Sequence, residues 1–152
     1  MNYIITKTPE FFNKIGDYNF CNLEDMKLPN KIAVDTETTS LKTFKGEMFC
    51  CQIGTGLNNY LIDLESVDFL NVIPYIKNKI LVFHNAKFDL TWFYKYNFFP
   101  WEVRDTMLAS QILYNGIHTY RHNFATVFKR EMDLDFDKTE QTNIAITKLS
   151  KK

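Results

Sequence analysis

Cysteine is scarce in this sequence, and its few copies match no pattern that would give them a role. The three cysteines, Cys21, Cys50 and Cys51, contain no C-x-x-C pair and have no histidine nearby at zinc-site spacing. An odd number of cysteines also leaves no complete disulfide framework. We therefore expect free thiols in a reducing compartment.

The sequence also lacks an excess of either charge and a long hydrophobic run. Its 18 basic and 18 acidic residues give a formal net charge of zero, so a polyanion has to be held locally rather than by a global positive field. No stretch approaches the roughly 18 apolar residues of a membrane span, and residues 1–6 lack the apolar core of a signal peptide. We expect a soluble cytoplasmic protein without a membrane partner.

The apolar content is sufficient for one sizeable core. Of the 152 residues, 45% are hydrophobic and 16% are aromatic, and we find no repeat, linker or low-complexity tract. We therefore predict a single domain over residues 1–152.

The order of the predicted elements indicates an α/β fold. Apolar runs bounded by turn residues predict strands at 3–6, 31–37, 48–54, 59–62 and 79–83, with a hairpin turn at 55–58. Helical spacing predicts helices at 9–15, 67–76 and 120–132, one following residues 84–89, and one beginning at residue 105. A mixed sheet covered by helices, with polar strand ends gathered at one edge, follows from this alternation.

An N-terminal cap explains the acid that begins the helix at residue 105. Asp105 has the side chain for this role, and Met107, Leu108, Ile112 and Leu113 form the apolar stripe of the predicted helix. We therefore do not count Asp105 among the metal ligands.

Three acids follow two apolar strands of the predicted sheet. Asp35 and Glu37 are two residues apart after an apolar strand, so an extended chain turns both carboxylates to the same side. Asp89 enters from the first turn of the helix after a second apolar strand. Such an i, i+2 pair is weak evidence alone, but two like charges this close favour a cation, and the third acid can converge on them.

Residues 32–41 (IAVDTETTSL) and 84–90 (HNAKFDL) resemble the first and second motifs of the DEDD exonuclease superfamily. Residues 105–109 and 134–142 extend the likeness in the family's order. Within the superfamily, the chain most resembles the proofreading 3′→5′ exonuclease domains of family A DNA polymerases, and ribonuclease D is a near relative.

This resemblance implies a ribonuclease-H-like fold with two divalent cations, Mg²⁺ or Mn²⁺. It places Asp35 on both metals, Glu37 on the metal that binds the nucleophile, and Asp89 on the second metal through water. Hydrolysis from a DNA 3′ end is the implied reaction. Substrate contacts are expected from Thr38, Leu41, Asn85 and Phe88, although Leu41 is as well explained as ordinary core. Lys42, Lys45 and Lys87 are candidate phosphate contacts.

The family's third motif has no counterpart in these 152 residues. After Asp105, no tyrosine has an acid four residues later and no histidine has one five residues later, so the fourth carboxylate is missing. We therefore expect the fold to lack its final helix and the chain alone to be slow or inactive. A polymerase, or a chain that supplies the helix, is an expected partner. The alternatives are a catalytically incomplete module that binds single strands or a polymerase, and ribonuclease D-like RNA trimming.

Overall fold

The computed structural model describes residues 1–12 and 17–135, which form a sheet and helices in α/β order. The strands are β1 (Asn2–Ile5), β2 (Asn19–Phe20), β3 (Lys31–Thr38), β4 (Met48–Gly54), β5 (Asn59–Asp63), β6 (Ile80–Phe83) and β7 (Glu102–Asp105). The helices are α1 (Phe69–Ile76), α2 (Ala86–Lys95), α3 (Thr106–Leu113) and α4 (Phe124–Met132), and 3₁₀ turns occur at Pro9–Phe11, Leu23–Asp25 and Thr43–Lys45.

The described strands form one mixed sheet in the order β2-β1-β5-β4-β3-β6-β7. The predicted hairpin is confirmed, since β4 and β5 pair antiparallel and the Thr55 amide donates to the Asn58 carbonyl at 2.9 Å. Strand β3 pairs antiparallel with β4 and parallel with β6. The strand that carries Asp35 and Glu37 therefore lies inside the sheet, next to the strand that leads to Asp89.

Two compact units divide the chain, residues 1–108 and residues 109–152. All seven strands belong to the first unit, and so does every buried apolar side chain that the structure describes, with Trp92, Phe69 and Phe93 the largest. Phe69 and Phe93 lie 4.9 Å apart between ring centroids, which joins α1 to α2 in this core. The prediction of one domain over residues 1–152 stays a prediction.

The second unit is organised around one guanidinium group. Arg130 of α4 stacks over the rings of Tyr114 and Tyr120, 4.2 and 5.0 Å from their centroids, and donates to the Ser110 hydroxyl at 2.6 Å. Polar and cation–π contacts thus hold together the part of this unit that lies within residues 109–135.

Several element predictions need correction. The predicted helix at 9–15 begins as a 3₁₀ turn, Pro9–Phe11, and Thr8 does not cap it with its side chain. The predicted end of this helix lies outside the described residues. Residues 136–142 of the last matched segment lie outside them as well. Helix α4 begins later than predicted, with Asn123 as its cap. The apolar stripe of α3 is not buried, since Leu108, Ile112 and Leu113 are all exposed.

In the part of the chain that the structure describes, no helix is long and apolar enough to span a bilayer.

Candidate active site

Strand β3 carries the first two acids of the predicted site. Its buried side chains are Ile32, Val34 and Thr36, whereas Asp35 is exposed and Glu37 is half-buried. This alternation follows from the twofold repeat of a strand, and it places the two acids on the face opposite the core. A shift in register between Glu37 and Thr38 ends the regular pairing with β4. Irregularities of this kind redirect side chains next to active sites.

Helix α2 brings in the third acid. Asn85 precedes the helix in the left-handed conformation, with a φ of 74°, which asparagine tolerates better than most residues. Asp89 follows in the first helical turn and is only 3% exposed. Its Oδ1 accepts a hydrogen bond from the Thr36 hydroxyl at 2.7 Å, so Thr36 joins the acid of α2 to the strand that carries the other two.

Asp105 fixes the start of the same helix. Its Oδ2 accepts from the Ala86 amide at 2.8 Å, and its Oδ1 accepts from the Asn85 amide at 3.1 Å and the Met107 amide at 2.8 Å. One carboxylate therefore caps both α2 and α3. The predicted cap role of Asp105 is confirmed and extends to a second helix, the one that carries Asp89.

Burial and charge raise the pKa values of two of the acids. Burial raises the pKa of Asp89 to about 7; the charge of Asp35 adds to this rise, and the Thr36 hydrogen bond opposes it. Although Asp35 is exposed as a residue, partial desolvation of its carboxyl group also raises its pKa, against the lowering effects of the Thr36 amide and of His84. Two carboxyl groups whose ionised forms are disfavoured in this way form an arrangement that a cation would stabilise.

Carboxylate oxygens suit a hard divalent cation, but the described residues do not bring three ligand side chains together. No group of three or more His, Cys, Asp or Glu side chains within residues 1–12 and 17–135 is arranged to hold a metal ion. The structure brings Asp35 and Asp89 within electrostatic reach of each other. The chemistry of the donors therefore fits Mg²⁺ or Mn²⁺, and the placement of Glu37 as a third ligand stays a prediction.

The four predicted substrate contacts occupy different environments. Leu41 is 86% exposed, so the interpretation of this residue as ordinary core is wrong. Asn85 is exposed at the start of α2, and its side chain makes no capping hydrogen bond. Phe88 packs partly against the core, near Trp92. The Thr38 hydroxyl donates to the Ser40 carbonyl at 2.9 Å and so shapes the chain leading to Leu41.

Two residues at this site were not singled out from the sequence. The Thr36 hydroxyl holds the Asp89 carboxyl in place. The sequence signal for Thr36 is its position between two acids on a strand, because a residue between two outward-facing side chains has to face the core. His84 lowers the pKa of Asp35, and its Nδ1 lies 2.9 Å from the Thr106 hydroxyl. Its position directly after β6, as the first residue of the second motif, is the corresponding signal.

Sequence comparison finds relatives among nucleases and polymerases. A family model described as 3′-5′ exonuclease matches residues 16–148. "DNA polymerase I" of Aquifex aeolicus is 32% identical over 108 residues, which are 70% of this chain and 18% of that protein. "Exosome complex component 10 homolog" of Drosophila melanogaster is 27% identical over 124 residues, 78% of this chain and 13% of that protein. The chain thus spans less than a fifth of these relatives' lengths.

Solved structures share the fold. RNase D of Escherichia coli superposes with a TM-score of 0.67 and 20% identity, covering 93% of this chain and 36% of that chain. NrnC of Brucella melitensis superposes with a TM-score of 0.62 and 22% identity, covering 76% of this chain and 58% of that chain. The mixed sheet therefore has the ribonuclease-H-like fold that these structures share. Since the family model matches well over half of the 152 residues, the chain belongs to the 3′→5′ exonucleases of the DEDD type.

Proposed function

We propose that this exonuclease domain removes nucleotides from the 3′ end of single-stranded DNA, as a proofreading nuclease does. The observation that carries the proposal is the buried Asp89 carboxyl, held by Thr36 within electrostatic reach of Asp35. A DNA substrate is supported by the 32% identity to a protein named DNA polymerase I.

Enzymes of this family generally use divalent metals, and a structure of NrnC with bound Mg²⁺ is among the structural relatives. We assign the binding of two such ions, Mg²⁺ or Mn²⁺, to Asp35, Glu37 and Asp89. Bound ions of this kind activate water and neutralise charge in phosphodiester hydrolysis. Within the chain, Thr36 keeps the Asp89 carboxyl oriented, and Asp105 fixes the start of the helix that carries it.

Exposure supports Leu41 as a substrate contact, and nearness to the acids in sequence supports the other three. Leu41 presents an apolar side chain to solvent just after the acids of β3, where it can pack on the terminal base. The other three residues are close to the acids in sequence: Thr38 ends β3, Asn85 precedes α2, and Phe88 lies in α2. We assign them to the terminal nucleotide.

The fourth carboxylate of the family has no counterpart in these 152 residues. Loss of a positioned catalytic group typically costs about 10²–10⁴-fold in rate. We therefore expect slow turnover by these 152 residues alone, and faster turnover when a fourth carboxylate is supplied from outside them, for example by a polymerase or another chain.

The test is hydrolysis of a 5′-labelled single-stranded DNA in Mn²⁺. Asp35→Ala should abolish ladder formation, whereas Asp17→Ala, which removes an exposed acid away from the site, should leave it unchanged. Equal products from wild type and Asp35→Ala would overturn the assignment.

RNA trimming and metal-independent binding are separate outcomes of the same experiment. An RNA strand of the same sequence, degraded faster than the DNA strand, would favour the ribonuclease D-like alternative. Binding of single strands without hydrolysis, unchanged in Asp35→Ala and Glu37→Ala, would favour a binding module.

A further inference from the structure

Residues 39–47 form a loop with a closed base directly after β3. The Thr39 amide donates to the Glu47 carbonyl at 2.9 Å, and the Glu47 amide donates to the Thr39 hydroxyl at 2.9 Å. A Cβ atom on Gly46 would lie 2.6 Å from the Cβ of Ser40. The two strands of the loop base therefore lie so close together that only glycine fits at position 46. The base of this 39–47 loop is therefore fixed by its own contacts.

The tip of the loop is ordered by local hydrogen bonds and not by burial. The Lys45 amide donates to the Lys42 carbonyl at 2.9 Å, and the Lys42 amide donates to the Ser40 hydroxyl at 3.1 Å. These bonds build the 3₁₀ turn Thr43–Lys45, in which Phe44 is 78% exposed. An ordered turn thus presents an aromatic ring to solvent.

Two lysine ammonium groups lie close to this ring. The Nζ atoms of Lys42 and Lys45 lie 6.0 and 5.8 Å from the centroid of Phe44. Glu47, the acid of the loop, is already paired with Lys95 at 2.9 Å. Within residues 1–12 and 17–135, neither Lys42 nor Lys45 takes part in an ion pair. A local positive charge therefore surrounds Phe44 in a chain whose net charge is zero.

The loop is also tied to the helix that carries Asp89. Lys95 of α2 donates to the Gly46 carbonyl and to the Glu47 carboxylate, both at 2.9 Å. Asp89 and Lys95 are six residues apart on α2, or about 9 Å along the helix axis. The loop therefore starts two residues after Glu37 and is anchored about 1.7 helical turns from Asp89.

We propose that Phe44, flanked by Lys42 and Lys45, is a base-stacking platform that holds single-stranded nucleic acid a few nucleotides upstream of the reacting 3′ end. An exposed aromatic ring can stack with any base, and the two lysines beside it attract the adjoining phosphates. The placement upstream of the 3′ end rests on the proposed function. None of the three platform residues is among the assigned metal ligands, so the platform can be tested without metal.

The first test measures binding of a 5′-fluorescein-labelled thymidine strand of about ten nucleotides in EDTA, by fluorescence anisotropy. Phe44→Ala should weaken binding by about 5- to 150-fold, and Phe44→Trp, which keeps an aromatic face, should restore it. Phe11→Ala is the matched control, since Phe11 is also in a 3₁₀ turn and is 74% exposed. Equal affinity of Phe44→Ala and Phe11→Ala would overturn the proposal.

The second test measures the salt dependence of the same binding. Replacing both Lys42 and Lys45 with glutamine should reduce the slope of log K against log salt by about 1.4, because each phosphate contact to a single strand contributes about 0.7. The control replaces the exposed Lys7 and Lys77 in the same way and should leave the slope unchanged. An unchanged slope in the Lys42 and Lys45 double variant would overturn the charge part of the platform.

The platform and the proposed function fail in different experiments. If wild type binds no strand in EDTA, the platform is wrong, whatever the hydrolysis assay gives. If Phe44→Ala loses binding while neither wild type nor Asp35→Ala produces a ladder in Mn²⁺, the platform stands and the exonuclease activity proposed for this chain alone fails.

Discussion

At the scale of single residues, the protonation of Asp89 links pH to the stability of the metal-free fold. Its pKa rises from an ordinary value of 3.8 to about 7 on folding, mainly because the carboxyl is buried. A raised pKa means that the folded state binds the proton more tightly. The resulting stability is fully present below pH 3.8 and is lost as the pH rises through about 7.

We therefore expect the metal-free protein to lose about 2–3 kcal/mol of unfolding free energy through this group between pH 5 and pH 8. Urea unfolding in EDTA at both pH values measures the loss. Asp89→Asn stays neutral at each pH and keeps an oxygen that can accept from Thr36, so its stability should change less over the same interval. An equal change in the variant and in wild type would show that other groups control the pH dependence.

The sequence allowed single acids to be placed on strands and helices, but not their mutual geometry to be predicted. Asp35 and Glu37 could be placed on one face because strand periodicity depends only on the backbone. The hydrogen bond from Thr36 to Asp89 joins residues 53 positions apart, and such a pairing depends on how α2 packs against the sheet. The exposure of Leu41 is likewise a property of the loop, and the sequence pattern left it open.

At the scale of elements, Asp105 makes two helices depend on one carboxylate. Asp105→Ala removes the acceptor for the amides at the start of both α2 and α3. Since the loss of one capping side chain costs about 1 kcal/mol, we expect a destabilisation of about 2 kcal/mol in urea unfolding.

Asp68→Ala is the matched control, because Asp68 caps α1 alone by accepting from the Leu70 amide at 2.9 Å. Its cost should be about half that of Asp105→Ala. If Asp105→Ala and Asp68→Ala lower the free energy of unfolding by the same amount, Asp105 does not stabilise both helices.

The elements that sequence reasoning predicted correctly are those with strong periodicity or a distinct turn. Most core positions of strands β3 and β4 carry apolar side chains, and the β4–β5 hairpin has Gly56 at a positive φ of 86° in its turn. Strand β7 was missed because Val103 is its single aliphatic residue, and it pairs with one neighbour at the edge of the described sheet. Edge strands need fewer apolar residues, so pattern alone does not mark them.

At the scale of the whole molecule, the apolar core and the assigned metal ligands fall within one unit. The buried apolar residues that the structure describes run from Ile4 to Phe98, and Asp35, Glu37 and Asp89 lie between them in sequence. The described part of the second unit has Ser110 as its buried residue and relies on the contacts of Arg130. Because apolar burial is the main source of folding free energy, the two units should differ in their ability to fold independently.

We therefore expect a fragment of residues 1–113, which keeps α3 whole, to unfold cooperatively in urea and to retain the circular dichroism of a mixed sheet. A fragment of residues 114–135, in which no side chain is buried, should show a gradual, non-cooperative transition. Asp105→Ala in the longer fragment should be destabilising by about the same amount as in the full chain, because both helix starts that it caps are retained. A non-cooperative transition of the 1–113 fragment would mean that its core needs residues beyond position 113 to fold.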